Sequence, residues 1–477
     1  MELEAQPSSV SRRRALNMLG ASAATCLLPL ASGRAQDVPT RLVAAPASLP
    51  IVGAPHAETD VWAYNGTVPG ALVRVRRGAK LRIELENQIS DVTTIHWHGV
   101  RVPNAMDGVP HLTQPPVERG KSFIYEFVAE DAGTFWYHPH WQSFEQVERG
   151  LYGALIVDED EPPKVDRDLL WVLDDWKLTS EAKLVEDFGN FFEVSHAGRI
   201  GNTVTINGRV PDTVTVRSGE RIRLRLANTA NARIFALRFP GLQPRVVATD
   251  GHGIEPHEPA DGRVVLGPGM RADLMLDCLG KPGDRVRVID DFYPRQTYRL
   301  VDIVYGQEPP LRGSSLMESV ALKPNPVPQP RIADAERHRI EFGGGMMGSL
   351  QEAQIRGQRR PMREIMQQGM AWAVNGKVAT GHIHDPLLTL RRGASYLLTL
   401  VNDTAWHHPV HLHGHAFKVL KRNDEALRIP EWRDTVLMSP KERVEIAFVA
   451  DNPGDWMLHC HILEHQAGGM MGVLRVA

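Results

Sequence analysis

Asn65-Gly66-Thr67-Val68-Pro69, followed by Arg77-Gly78-Ala79-Lys80-Leu81-Arg82-Ile83-Glu84-Leu85-Glu86-Asn87, is a pattern that this chain repeats. It returns as Asn207-Gly208-Arg209-Val210-Pro211 before Ser218-Gly219-Glu220-Arg221-Ile222-Arg223-Leu224-Arg225-Leu226-Ala227-Asn228. It returns again as Asn375-Gly376-Lys377-Val378 before Arg392-Gly393-Ala394-Ser395-Tyr396-Leu397-Leu398-Thr399-Leu400-Val401-Asn402. Each copy is a turn, an alternating run, a glycine turn and a second alternating run. Alternation of apolar and polar residues between glycine turns denotes strands with one buried face. A second signature follows each copy in the same order: Ala132-Gly133-Thr134, Pro282-Gly283-Asp284 and Pro453-Gly454-Asp455. Five residues past their glycines, the first and third lead into His138 and His459, the middle one into Val288. The chain therefore reads as an all-β protein of three related β-sandwich domains made by duplication.

The joints follow from composition. Residues 158–164 are acidic and contain proline, and residues 308–330 are proline-rich, so both read as linkers. The expected units are 36–160, 165–310 and 331–477. Helical signal is thin and falls at residues 180–188 and 350–368.

Ahead of the first unit, residues 1–35 read as a cleavable signal peptide. Arg12-Arg13-Arg14 precede an apolar, small-residue run that ends at Gly33-Arg34-Ala35. The arginine pair is similar to a twin-arginine export signal, although Ala15 stands where Phe is common. A periplasmic or secreted protein is expected, without a membrane anchor, since no later stretch approaches the ~20 apolar residues of a span. The 477 residues carry a formal net charge of −3, which gives no electrostatic case for a nucleic-acid or membrane partner. Cys26 leaves with the leader. Cys278 and Cys460 remain, too few for a disulfide framework or a Cys-rich zinc or iron–sulfur site. Cys278, in Leu274-Met275-Leu276-Asp277-Cys278, reads as a core thiol.

Histidine is the unusual residue, with twenty copies. Four motifs gather ten of them: His96-Trp97-His98-Gly99, His138-Pro139-His140, His408-Pro409-Val410-His411-Leu412-His413, and His459-Cys460-His461 with His465 and Met470. Imidazoles two apart on a strand share a face, so each pair can serve one metal cluster. Imidazole alone does not choose the metal. Two histidines, a thiolate and a weak thioether do, because they form the blue-copper set. Parity sorts the ligands. Cys460 faces away from His459 and His461, and His408 faces away from His411 and His413. So His408, Cys460, His465 and Met470 are expected to form one site within the third unit. His411, His413, His459 and His461 are expected to meet His96, His98, His138 and His140 across a domain seam, as a polynuclear cluster. His382-Ile383-His384 is set aside as a surface pair, and His407 and His415 do not fit the parity scheme.

These motifs, their order and the threefold repeat resemble the multicopper oxidases, a resemblance that spans the whole mature chain. It implies three cupredoxin-like Greek-key β-sandwiches and four coppers. By that resemblance His408, Cys460 and His465, with axial Met470, hold type 1 copper; His96 and His411 hold type 2; and His98, His138, His140, His413, His459 and His461 hold the type 3 pair. The second unit carries no ligand. The resemblance further implies a laccase-like activity: a small reducing substrate, a phenol or a metal ion, gives single electrons near the His465 edge. They pass through Cys460 to a cluster that reduces dioxygen to water. Asp107, nine residues after His98, matches a family acid that assists proton delivery. Gln466 stands where many bacterial relatives have Glu, and Glu464 faces elsewhere if that segment is extended.

The alternatives are a cuprous or manganese oxidase in metal homeostasis and a non-catalytic periplasmic copper-binding protein. Met346, Met347, Met362, Met366 and Met370 offer soft donors that suit Cu(I). Arg356, Arg359, Arg360 and Arg363 among them argue against gathering cations and suit an anionic or phenolic substrate. A monomer is expected.

Overall fold

The computed structural model describes residues 40–313, 321–381 and 385–477. The expected leader and the His382–His384 pair lie outside the described residues. Six sheets form three sandwiches, and the same strand plan recurs in each. In the first, Arg41–Leu49 runs parallel to Lys80–Asn87, which pairs antiparallel with Ser122–Val128. In the second, Arg167–Trp176 runs parallel to Glu220–Asn228, which pairs with Arg271–Cys278. In the third, Glu336–Gly344 runs parallel to Ser395–Asn402, which pairs with Arg443–Val449. The facing sheets repeat as well. Gly133–His138 lies between Gly153–Asp158 and His96–His98, and Gly454–Cys460 lies between Met471–Val476 and His408–Leu412. Parallel neighbours joined by long crossings between antiparallel strands are the mark of a Greek-key sandwich, and the fold is all-β and cupredoxin-like.

Alternation has different consequences in the first two copies. In Lys80–Asn87, Leu81, Ile83 and Leu85 are buried while Lys80 and Arg82 are exposed. In Glu220–Asn228 every residue is buried, including Arg221, Arg223 and Arg225. The polar face of that strand is covered because the second sandwich packs against the first. Arg223 donates to Glu159 and Asp273, and Arg225 donates to Asp168 and to Thr134 of the first sandwich. Buried guanidinium groups need such partners, since an unpaired charge in the interior costs several kcal/mol.

The helical expectation fails in part. Residues 180–188 form turns: Ala182 has φ +60°, and Leu178 bridges to Leu184. A helix begins only at Phe191–Ser195, where Asn190 caps it by accepting from the Glu193 amide. Residues 350–368 begin as a hairpin, Glu352–Ile355 with Gln358–Pro361. Its turn is Arg356-Gly357, both at positive φ. Only Met362–Met366 is helical. Met362 packs into the small core under this hairpin with Ala353, Ile355 and Ile365, whereas Met346 and Met347 are exposed elsewhere. The methionine–arginine segment is thus split between packing and surface. Cys278 lies in the core of the second sandwich.

Candidate metal centre

Strand pairing brings the histidine motifs together. His96 lies opposite His138; in the third sandwich His411 lies opposite His459, and Val410 opposite Cys460. Residues directly opposite share a face. Cys460 therefore points inward with Val410, into an apolar core that includes Leu458 and Met470. His411, His413, His459 and His461 point outward and meet His96, His98, His138 and His140. His98 stacks on His411 with centroids 3.7 Å apart, and His96 on His413 at 3.8 Å. His140 meets His459, and His138 meets His461, at 5.2 Å each. All eight rings are buried.

The outer contacts of these rings fix their tautomers. A carbonyl can only accept, so a ring nitrogen bonded to one carries the proton. Nδ1 of His96 donates to the Asp107 carbonyl, that of His138 to Pro139, that of His411 to Asp434 and that of His459 to Cys460, all at 2.8–2.9 Å. His413 Nδ1 donates to the Asp107 carboxylate at 2.9 Å. His98 is reversed: its Nε2 donates to Asp434 Oδ1 at 3.1 Å, and its Nδ1 has no partner. Gln466 Nε2 lies 3.4 Å from His140 Nδ1, and His140 Nε2 has no hydrogen-bond partner among the described residues. In His96, His98, His138, His411, His413 and His459 the remaining nitrogen is a lone pair turned into the seam. Some face one another across it, His411 Nε2 3.4 Å from His96 Nε2 and His413 Nε2 3.1 Å from His459 Nε2. Burial pushes His98, His138, His140, His411, His413, His459 and His461 below the ordinary imidazole range, and neighbouring imidazoles push the same way. Neutral rings with converging lone pairs have no favourable state except around cations. The donor set fits metal ions bound by nitrogen.

Two carboxylates brace this cluster. Asp107 is fully buried; besides accepting from His413, its Oδ1 lies 3.2 Å from His96 Nδ1. Asp434 was not among the expected site residues. It accepts from His98 and Thr435 and takes a two-pronged contact from Arg271 at 2.8 and 2.6 Å. Burial alone would raise its carboxyl; Arg271 beside it holds it well below the usual range. Arg271 belongs to the second sandwich, which supplies no cluster histidine. Gly99 has φ +83°, and a side chain there would collide with this Arg271–Asp434 pair. Such support for ligands from outside the ligand set is the ordinary way rings are held in orientation. No motif flagged Asp434 or Arg271; each lies far in sequence from the histidines it serves.

The second constellation lies within the third sandwich. His408 Nδ1 is 3.4 Å from Cys460 Sγ, His465 Nδ1 is 3.7 Å from it, and the two nitrogens are 3.1 Å apart. The Ile462 amide donates to the sulfur at 3.4 Å. Met470 is buried in the same core, its amide donating to the His465 carbonyl. Burial raises the Cys460 thiol far above its ordinary range, so an ionised sulfur here requires a cation. Trp372 packs against both imidazoles, 4.3 Å from His465.

Two expectations change. The segment after His461 is helical, Leu463–Ala467, so Glu464 and Gln466 are not placed by strand parity. Glu464 is buried and accepts from the Arg199 amide and from Asn231. His465 presents no edge to solvent: it is 0% exposed, and its Nε2 donates to the His196 carbonyl at 2.7 Å. A cavity of about 250 Å³, walled by Val109, Trp141, Phe144 and Met457, reaches instead to His140 and Gln466. His415 is buried against Phe448 and Trp456, and His407 lies against Phe292. Among the described residues no helix is long and apolar enough to cross a membrane.

Known proteins resemble this chain along its length. Three family models, each described as multicopper oxidase, match residues 50–162, 167–284 and 356–477. The multicopper oxidase MmcO of Mycobacterium tuberculosis is 29% identical over 443 residues, covering 85% of this chain and 81% of that protein. The crystal structure of a multicopper oxidase from Pseudomonas thermotolerans superposes with a TM-score of 0.79 at 33% identity, over 92% of this chain and 98% of that one. Lac15, from a marine microbial metagenome, superposes with a TM-score of 0.72 at 34% identity, over 92% of this chain and 100% of its own.

Proposed function

Because this chain belongs to the multicopper oxidase family, a family of copper-binding oxidoreductases that use dioxygen and a reducing substrate, we propose a division of labour among its residues. His408, Cys460, His465 and Met470 would hold type 1 copper. His96 and His411 hold type 2. His98, His138, His140, His413, His459 and His461 hold the type 3 pair, for four coppers in all. Bound copper supplies the one-electron chemistry that lets a laccase-like reductant, a phenol or another small aromatic, be oxidised at the expense of dioxygen.

The chain's own residues set the conditions for that exchange. Cys460 lies between His459 and His461 in the backbone, so the two sites are joined through a single residue. Asp107, bonded to His413 and beside His96, is placed to deliver protons to the cluster. Gln466 occupies the His140 side and cannot ionise. The apolar cavity at His140 gives dioxygen, itself apolar, a way inward. The leader-like residues 1–35 support export to the periplasm or beyond. The single observation that carries the reading is the set of buried imidazole lone pairs converging from the first and third sandwiches.

Copper-loaded protein is expected to be blue and to hold four coppers. Cys460→Ser should abolish the colour and keep the cluster metals; colour that survives it overturns the assignment. Oxygen uptake against phenols, Cu(I) and Mn(II) in parallel identifies the reductant. A metal-oxidase role has its own support: Met346 and Met347 are exposed soft donors, and among similar proteins is a copper resistance protein A homologue of Pseudomonas syringae, 27% identical. Uptake with Cu(I) alone would favour it.

A further inference from the structure

Three consecutive carbonyls of the second sandwich accept hydrogen bonds from the third. The Val194 carbonyl takes Trp372 Nε1 at 2.5 Å, that of Ser195 takes the Met346 amide at 2.9 Å, and that of His196 takes His465 Nε2 at 2.7 Å. They lie at the end of the helix Phe191–Ser195, where carbonyls have no partner within the helix. The bond from His465 occupies the outer nitrogen of that ring. A reductant arriving from solvent meets His196 instead.

The His196 ring is half-buried, and its Nδ1 donates to the Phe192 carbonyl at 2.9 Å. The proton is therefore on Nδ1, and Nε2 is an acceptor with no hydrogen-bond partner among the described residues. The ring stacks on Phe192 at 4.2 Å and meets Trp406 edge-on at 5.4 Å. Trp406 Nε1 donates to the Met346 carbonyl at 2.9 Å, which ties the Met346-Met347 turn to the same place. Phe192 is 70% exposed and Met347 74%. The result is a bare aromatic and thioether surface around one hydrogen-bond acceptor, joined by a single hydrogen bond to a ligand of the Cys460 site.

Resting on the oxidase reading, we infer that the reductant docks on this surface of the ligand-free second sandwich, and that His196 is the residue it contacts. The geometry selects a phenol. Its ring stacks against Phe192 and Trp406, and its hydroxyl donates to His196 Nε2. On oxidation the phenol loses one electron and its hydroxyl proton and leaves as a phenoxyl radical. The electron would leave by way of the His196 carbonyl and the His465 ring bonded to it, toward the site where copper would be held, and the proton passes to water.

The test uses copper-loaded enzyme, fully reduced and kept free of oxygen so that it cannot oxidise the probe. Its methionine methyls are 13C-labelled, with Met346 and Met347 assigned from Met346→Leu and Met347→Leu. Titration with 2,6-dimethoxyphenol should move those two methyl signals. The fully methylated ether of the same ring should bind about 3- to 10-fold more weakly, the value of one lost neutral hydrogen bond. In His196→Phe, which keeps the ring and the backbone carbonyl, phenol and ether should bind alike. Phe192→Ala should weaken both. The inference is overturned if the Met346 and Met347 methyls stay still while others move, or if His196→Phe still prefers the phenol. Ferrocyanide, an inorganic reductant that needs no aromatic surface, separates the two layers. Blue protein that takes up oxygen with ferrocyanide but fails the titration loses only the docking site; protein that does neither loses the oxidase reading as well.

Discussion

Two cluster imidazoles turn a ring nitrogen toward the carboxylate of Asp107, which is 0% exposed. Asp107→Asn keeps an oxygen to accept from His413 and removes only the charge and the proton store. Copper content should hold, while reoxidation of the reduced enzyme by oxygen slows by about 10²-fold, the usual weight of a positioned acid. Loss of copper in Asp107→Asn would instead make the residue a scaffold. Gln466→Glu places an ionisable group against His140 and should change the dependence of turnover on pH; an unchanged profile means that protons arrive by another way. The two residues differed in how far sequence could reach them. Asp107 before Gly108 reads locally as a turn, and only resemblance marked it. His196 left no mark at all, because its contact with His465 uses a backbone carbonyl, which every residue has.

Among the elements, strands were far more legible than helices. The step of two along His408–Leu412 and Gly454–Cys460 sorted His408, His411, His459 and Cys460 to their faces without any coordinates, because a strand's faces are fixed by counting. The short helices at Phe191–Ser195 and Leu463–Ala467 escaped notice, since five residues carry no period to read. Asn190 caps the first, and Glu464 ties the second to the Arg199 amide and to Asn231 of the second sandwich. Strand Arg271–Cys278 looks like ordinary core in sequence, yet its first residue braces His98 through Asp434. Arg271→Met leaves that carboxylate buried and unpaired, and should cost about 3–5 kcal/mol. The midpoint of urea unfolding of the copper-free protein reads this directly. A loss under ~1 kcal/mol, the scale of an exposed pair, would show that the pair contributes little.

At the scale of the molecule, the repeat gave the number of sandwiches and their strand plan, but not what lies between them. The seam between the first two buries Asp174, which accepts from Tyr152 at 2.6 Å; burial raises its carboxyl to about 8, and neighbouring Asp175 adds to the effect. In the unfolded chain the same group ionises near 3.8. Between those values the folded state keeps a proton that the unfolded state has lost, so stability falls as pH rises from about 4 to about 8. Asp174→Asn should flatten that slope in unfolding midpoints taken at pH 5 and pH 8. The seam between the first and third sandwiches holds the cluster, and its histidines come from two far-separated stretches, residues 96–140 and 411–461. A ribosome that stops before residue 459, or a protease that cuts there and frees the C-terminal segment, takes away His459, Cys460, His461, His465 and Met470 together. Such a fragment keeps neither constellation whole. Oxidase competence is thereby tied to synthesis through residue 470, and a chain abandoned before that point is left without the machinery to release half-reduced oxygen.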